Sequence, residues 1–161
     1  MIAGFDLGVN LGYAVCNDHA EIVVAGKIKL PSKHTHEFER YAPFVDLLYS
    51  IHEIHGISHM AIEQLIGGPN MGGATAKIFW SLRTIFLQFA YKEVIHTEEV
   101  HVATLKKFST GNGKLTNRSK EEMFNAAVKH FLPLEGMEGK VDDIADAIHV
   151  ARWYATRIND L

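Results

Sequence analysis

The chain is poor in the features that mark secreted and membrane proteins. Its 161 residues include one cysteine, Cys16, so no internal disulfide can form. The most apolar helical stretch, IFWSLRTIFLQFAY, is interrupted by Arg83 and is too short to span a bilayer. The opening MIAGFDLG has neither the basic nor the apolar region of a secretory signal. We therefore expect a protein of a reducing, cytoplasmic compartment.

Strong net charge is also lacking, but the charges that are present are segregated along the chain. A net charge of -3 does not by itself indicate a polyanionic partner. Basic residues nevertheless cluster between Lys106 and Lys120, and acidic residues cluster between Asp142 and Asp146. The length and the 47% hydrophobic content predict one domain over residues 1–161 with a substantial core.

Apolar patterning predicts an α/β fold. IAGFDL, GYAVCN and EIVVAGKIKL read as strands with short connections, which favours an antiparallel meander. Alternating helices and strands follow, so we expect a mixed sheet with helices packed on it. The further strands are predicted at residues 59–65 and 93–97, and the helices at residues 37–55, 74–91, 102–108, 121–131 and 142–157.

Carboxylates end two predicted strands and begin the last helix. Asp6 and Glu63 follow apolar strand residues, where Asp6 alone is also compatible with a simple turn. Asp143 and Asp146 are three residues apart and share a helix face that continues as apolar residues. Asp142 is the natural N-cap, although its spacing from Asp146 also allows a shared face. An acidic first turn complements the helix dipole, but this does not explain an inward-facing carboxylate one turn later.

These carboxylates would repel one another unless a cation neutralised them. Hard oxygen ligands without paired Cys or His favour Mg²⁺ or Mn²⁺ over zinc. Two such ions about 3.5–4 Å apart activate water and stabilise a leaving oxygen in phosphodiester hydrolysis. The acidic residues therefore predict a divalent-metal site.

Four motifs in order resemble a known family. They are FDLGVNLGYAV at the start, AIEQ at residues 61–64, LKKFSTGNGK followed by SKEEM, and DDIADAIHVA near the end. Together they resemble the RuvC-like Holliday junction resolvases, the branch of the ribonuclease-H superfamily with bacterial and phage members. The resemblance spans residues 1–151 and implies a ribonuclease-H-like sheet of five strands, with a three-strand antiparallel meander plus parallel strands, flanked by helices.

The same resemblance implies a chemistry and a set of residues. It implies a homodimer that nicks two opposed strands of a four-way DNA junction, in recombination, repair or phage DNA processing, in the cytoplasm of a bacterial cell or a phage-infected host. Two Mg²⁺ ions per active site are expected, with Mn²⁺ as a substitute. The family's catalytic and metal-binding carboxylates fall on Asp6, Glu63, Asp143 and Asp146. Its catalytic lysines fall on Lys106, with Lys107 as the neighbouring candidate, and on Lys120.

Two loops are candidate DNA-binding segments. The stretch KKFSTGNGKLTNRSK has no acidic residue and is where phosphates are expected to lie, although a solvated loop has the same composition. Its basic residues are Lys106, Lys107, Lys114, Arg118 and Lys120. The loop IGGPNMGG places Ile66 where better-known relatives have an aromatic wedge, and an aliphatic side chain can also part stacked bases. Asn70 in this loop is a candidate sugar or base contact.

Other functions are less consistent with the sequence. A metal nuclease of the same fold acting on flaps, forks or RNA–DNA hybrids is the principal alternative. A nucleotide-binding fragment of the sugar-kinase and actin type shares a D-x-G motif, but that family needs two lobes. GNGK lacks the spacing of a phosphate-binding nucleotide loop. Zinc is disfavoured because Gly56 separates His52 and His55 from His59 and no cysteine joins them.

Overall fold

The structure is a computed structural model that describes residues 1–33, 36–64, 72–111, 119–131, 133 and 141–160. Five strands and five helices lie within these residues: three strands come first, helices and strands then alternate up to the fifth strand, and three helices follow. They are β1 (Ile2–Asp6), β2 (Asn10–Cys16), β3 (Ile22–Lys29), α1 (Glu37–His55), β4 (His59–Glu63), α2 (Gly73–Lys92), β5 (His96–Val100), α3 (Val102–Thr110), α4 (Ser119–Val128) and α5 (Asp142–Asn159).

The strands form one mixed sheet in the order β3-β2-β1-β4-β5. β1, β2 and β3 pair antiparallel, whereas β4 runs parallel to β1 and β5 parallel to β4. This confirms the predicted meander with added parallel strands and the predicted mixed α/β class. Because β1 and β4 are parallel neighbours in the middle of the sheet, their carboxyl ends emerge side by side at one edge.

One face of the sheet is packed with large side chains from α1 and α2. Phe5 of β1 makes edge-to-face contacts with Phe44 of α1 and Phe86 of α2, at ring-centroid distances of 5.8 and 6.0 Å. All three rings are fully buried. Aromatic pairs of this geometry add to the free energy of burial, so this face is a large part of the hydrophobic core.

The opposite face is covered by α5, with α3 and α4 beside it, and small residues set the distance between α5 and β1. A side chain at Gly4 would overlap the backbone of Ala147 and Ala151, so only glycine lets α5 approach β1 this closely. Ala147 and Ala151 are themselves fully buried in this second core cluster. Cys16 is buried on the same face, as predicted for a strand residue.

Two local predictions were wrong. The last strand was predicted at residues 93–97, but α2 continues to Lys92 with Glu93 as its C-cap. Val94 then takes a positive φ of 56°, and β5 begins only at His96. Asp142 was predicted as the N-cap of α5, but that position is Val141, without a side-chain cap, and Asp142 is the first helical residue. Its carboxylate turns instead toward Lys120.

Candidate active site

The candidate site begins at the ends of two neighbouring strands. Asp6 is the last residue of β1 and Glu63 the last residue of β4, and the preceding residues Phe5 and Ile62 are paired across the two strands. Side chains alternate between the faces of a sheet. Since Phe5 and Ile62 face the α1 and α2 side, Asp6 and Glu63 project to the face that α5 covers.

Gly12 allows the first turn of α5 to lie directly over this edge. It is the register partner of Asp6 on β2. A side chain at Gly12 would overlap the carbonyl group of Asp143, so the helix backbone touches the sheet here. The sheet therefore places the start of α5, with Asp143 and Asp146, beside Asp6.

Burial and mutual repulsion shift the pKa values of these carboxyls upward. Burial and the charges of Asp146, Glu63 and Asp143 hold the pKa of Asp6 well above its ordinary value. Burial, followed by the charge of Glu63, raises the pKa of Asp146 to about 7. Burial also raises the pKa of Glu63 and of Asp143, against the opposing charges of Lys106 and Lys27 respectively. The four predicted carboxylates thus lie close enough to act on one another.

Two of the predicted lysines line a small cleft with these carboxylates. Glu63, Asp146, Lys106 and Lys120 surround a space of about 130 Å³. Lys106 projects from α3 and Lys120 from the first turn of α4, where its ammonium donates to the Asp142 carboxylate over 3.4 Å. Lys107, the neighbouring candidate, is exposed and does not line this cleft. The structure therefore favours Lys106 of the two candidates.

Some predicted DNA-binding residues lie outside the described residues. They are Ile66, Asn70, Lys114 and Arg118. Their roles remain predictions.

Sequence reasoning missed a second and larger cleft on the other side of the start of α5. Its volume is about 580 Å³, and its lining includes Lys27 and Lys29 of β3 together with Lys120. The only signal in the sequence is the spacing of the two lysines, which places both on one face of a strand that is otherwise largely apolar.

His149 has a structural position behind the site. Its ring is fully buried, and its Nε2–H donates to the Met123 carbonyl over 2.8 Å. Burial lowers the pKa of His149 to about 4, so the ring is neutral at physiological pH. The bond ties α5 to α4, the helix that carries Lys120, which supports the packing role predicted for this residue.

The residues present suit a divalent metal in their chemistry. Carboxylate oxygens are the ligands that Mg²⁺ and Mn²⁺ prefer, and the desolvated, mutually repelling set around Asp6 is what a cation would stabilise. Among the described residues, no three His, Cys, Asp or Glu side chains are oriented to hold one ion between them.

Comparison with known proteins gives the family. Residues 2–153 match the family described as crossover junction endodeoxyribonuclease RuvC. The chain belongs to the RuvC family. No individual curated protein sequence matches it significantly.

Solved structures share the RuvC fold at low sequence identity. Thermus thermophilus RuvC in complex with a Holliday junction substrate superposes with a TM-score of 0.79 at 15% identity, covering 99% of this chain and 94% of that one. The fowlpox virus resolvase, solved with Holliday junction DNA, gives 0.61 at 12% identity, covering 98% and 99%. The yeast mitochondrial Holliday junction resolvase gives 0.65 at 17% identity, covering 96% and 77%.

The described helices include none that is long and apolar enough to cross a bilayer.

Proposed function

We propose that this RuvC-family chain is a structure-selective endonuclease that resolves four-way DNA junctions by paired, symmetric nicks. The observation that carries the proposal is the agreement between the family motifs and the carboxylates with perturbed pKa values. The family match covers residues 2–153. The family motifs select Asp6, Glu63, Asp143 and Asp146, and burial raises the pKa of all four, with repulsion from the others adding to the shift at Asp6 and Asp146. Perturbed ionisable groups that cluster in a cleft are typical of active sites.

Asp6, Glu63, Asp143 and Asp146 would hold the divalent cations, with Mg²⁺ as the expected metal and Mn²⁺ as a substitute. When bound, such a pair supplies an activated water and stabilises negative charge on the leaving 3′ oxygen. Asp6 lies at the centre, since the other three carboxylates all act on its pKa. Partial burial of this group strengthens its attraction for a cation.

Lys106 and Lys120 are proposed to hold the scissile phosphate. Both line the cleft that contains Glu63 and Asp146, so a phosphate seated there would meet two ammonium groups. A lysine near the reacting phosphate stabilises the additional negative charge of the transition state. The exposed ion pair between Lys120 and Asp142 contributes little to folding and leaves Lys120 available to move toward DNA.

The proposed substrate also implies an assembly. Symmetric nicks in two strands of a junction require two active sites related by a two-fold axis, so residues 1–161 would act as one nuclease domain within a homodimer. The branched DNA is the proposed partner, and the cytoplasm of a bacterial cell or a phage-infected host is the proposed location.

A substrate panel tests this function. Purified protein is incubated with a mobile four-way junction, a flap, a fork and an RNA–DNA hybrid, in Mg²⁺, Mn²⁺ or chelator. We expect paired nicks in opposed junction strands, ligatable 5′-phosphate and 3′-hydroxyl ends, and no cleavage in chelator. Asp6→Asn should retain junction binding and lose nicking. Preferential cleavage of flaps, forks or hybrids would replace junction resolution by the related nuclease activity, and cleavage by Asp6→Asn would contradict the assigned site.

A further inference from the structure

A lysine-lined cleft adjoins the candidate active site on the side away from Lys106. It occupies about 580 Å³ between β3 and the start of α5. Its lining residues are Asn10, Lys27, Ile28, Lys29, Lys120, Asp142 and Asp143. Three ammonium groups and two carboxylates therefore face this space. A divalent cation at Asp143 would leave the cleft with a clear excess of positive charge.

The register of the sheet explains why the two β3 lysines face the site. Lys27 is the partner of Gly12, and Gly12 is the partner of Asp6, so these positions form one row across three strands. Lys29 is the partner of Asn10 in the next row on the same face. Directly opposed residues in a sheet project to the same side. Both lysines thus extend from the face that carries the candidate catalytic carboxylates.

No side chain stands between Asp6 and Lys27 in this row, because Gly12 occupies the middle position. Having no side chain, it is covered by the backbone of Asp143 rather than by a neighbouring strand residue. The positive charge of Lys27 acts on Asp143 and opposes the upward shift of its pKa. Lys27 and the carboxylate site therefore lie within electrostatic reach of each other, although both lysine side chains are exposed.

Lys120 connects the two clefts. It lines the 130 Å³ cleft with Lys106, Glu63 and Asp146, and it also lines the 580 Å³ cleft with the β3 lysines. The carboxylates consequently lie between two spaces that both present ammonium groups. An extended polyanion that passes Lys106 and then the carboxylates would next pass Lys27 and Lys29.

We propose that Lys27 and Lys29, supported by Asn10, form a subsite for the backbone phosphates on one side of the scissile phosphate in the cleaved DNA strand. The proposal rests on the junction-resolving function argued above, and it extends that site onto the edge strand of the sheet. Lysine suits such a role because it binds phosphate as a mobile point charge without reading sequence.

Lysines on an edge strand also discourage pairing with another sheet. That role predicts a different outcome from phosphate binding, because it concerns association between protein chains and not affinity for DNA. A site for free phosphate or a mononucleotide is a second competing interpretation, since the same ammonium groups would recognise either ligand. The experiment must separate these outcomes from DNA binding.

The test compares K27Q/K29Q with the wild type and with K77Q/K92Q, which removes two lysines from α2 on the opposite side of the sheet. Junction affinity is measured in chelator over a range of salt concentrations. We expect K27Q/K29Q to weaken binding about tenfold or more and to reduce the slope of log K against log salt by roughly 1–2, as for one or two lost phosphate contacts. K77Q/K92Q should match the wild type, and K27R/K29R should retain most of the affinity because it keeps both charges.

Phosphate-ethylation interference locates the contacts. With wild-type protein, ethylation of one or two phosphates on one side of the cleavage position should interfere with binding, and K27Q/K29Q should lose that interference alone. Unchanged affinity, salt slope and interference in K27Q/K29Q would overturn the subsite, as would aggregation of this variant with normal DNA binding. Inorganic phosphate or a mononucleotide binding only the wild type, with junction affinity equal in both proteins, would also overturn it.

Failure of the subsite is distinguishable from failure of the proposed function. A wild-type protein that nicks the junction while K27Q/K29Q binds and nicks equally well contradicts the subsite only. A wild-type protein that neither binds nor nicks the junction contradicts the function on which the subsite rests.

Discussion

The two faces of the sheet differ in the size of the strand residues that meet the helices. The face under α1 and α2 carries large rings, with Phe5 between Phe44 and Phe86. The face under α5 carries Gly4 and Gly12, at which the helix backbone touches the sheet. Large rings maximise buried apolar area, whereas small residues minimise the distance between helix and strand. Both faces bury hydrophobic side chains, but only the α5 face brings the helix backbone close enough to the strands to place the carboxylates together.

The difference has an energetic consequence. Asp6 and Asp146 are largely buried near other carboxylates, and burial of charge is unfavourable without a partner cation. A site of this kind can persist only where the remaining fold is stable enough to hold it in place. The aromatic face therefore offsets the destabilising carboxylate face, and substitutions on the two faces should have separable effects.

Substitution of Phe86 should give the largest loss of stability. The ring is fully buried, so Phe86→Ala should lower the free energy of unfolding by about 3–5 kcal/mol, measured by urea denaturation. Nicking at temperatures where the variant is folded should change little, because the ring is on the face away from the carboxylates. Trp80→Ala on the same helix, where the side chain is 53% exposed, should cost much less. A large loss of activity in folded Phe86→Ala would mean that the faces are not separable.

Substitution of Gly12 should have the opposite effect, a smaller loss of stability with a large loss of nicking. Gly12→Ala forces the start of α5 away from β2, which should lower the free energy of unfolding by about 1–3 kcal/mol. The displacement carries Asp143 away from Asp6, so nicking should fall at least about a hundredfold. Gly26→Ala is the matched strand control, because its new methyl group would meet only the end of the Tyr13 side chain. Equal nicking by Gly12→Ala and Gly26→Ala would contradict the close-approach role of Gly12.

Removal of one carboxylate should stabilise the metal-free protein. The pKa of Asp146 is about 7 in the fold, well above the ordinary value of an aspartate, so the folded state binds more protons than the unfolded state between the two pKa values. Stability therefore falls as pH rises through this window. Asp146→Asn lacks the part of this fall that comes from Asp146. In chelator, its free energy of unfolding should therefore exceed that of the wild type by an amount that grows from pH 5 to pH 8. At pH 8 we expect a difference of about 1–2 kcal/mol, after allowance for relaxation around the charge.

Thermal unfolding at several pH values measures this advantage. Asp46→Asn, at an exposed position on α1, is the control and should differ from the wild type by less than about 0.5 kcal/mol at every pH. Mg²⁺ should raise the unfolding temperature of the wild type at pH 8 and leave Asp146→Asn nearly unchanged. A wild type as stable as Asp146→Asn in chelator at pH 8 would mean that burial and the neighbouring charges do not destabilise the ionised Asp146 carboxylate.

Local patterns predicted most of the fold. The predicted helix at residues 37–55 has the observed bounds, because its apolar residues recur at helical spacing and Gly56 adopts the left-handed conformation that ends it. The boundary between α2 and β5 was misplaced because the turn uses Val94 at positive φ, a conformation that its residue type disfavours. The N–H groups of Val94 and Ile95 donate to the carbonyls of Tyr91 and Ala90 and close the turn, but the glycine that usually marks such a helix end is missing from the sequence here.

The candidate site was predictable in its residue types but only partly in its geometry. Strand ends and helix spacing identified Asp6, Glu63, Asp143 and Asp146, and the family motifs supported the same residues. The cleft beside Lys27 and Lys29 was missed because it depends on the register that aligns Asp6, Gly12 and Lys27 across three strands. Register between β2 and β3 is set by the turn that joins them and by the irregularity at Val15 and Cys16, and spacing along one strand does not specify it.

Crystals grown or soaked with Mn²⁺ would test the central claim most directly, through anomalous diffraction at the manganese edge. We predict two anomalous peaks about 3.5–4 Å apart, bound by oxygens of Asp6, Glu63, Asp143 and Asp146. The same protein should nick a four-way junction in Mn²⁺. Protein that nicks in Mn²⁺ but shows no anomalous peak among these carboxylates would contradict the account.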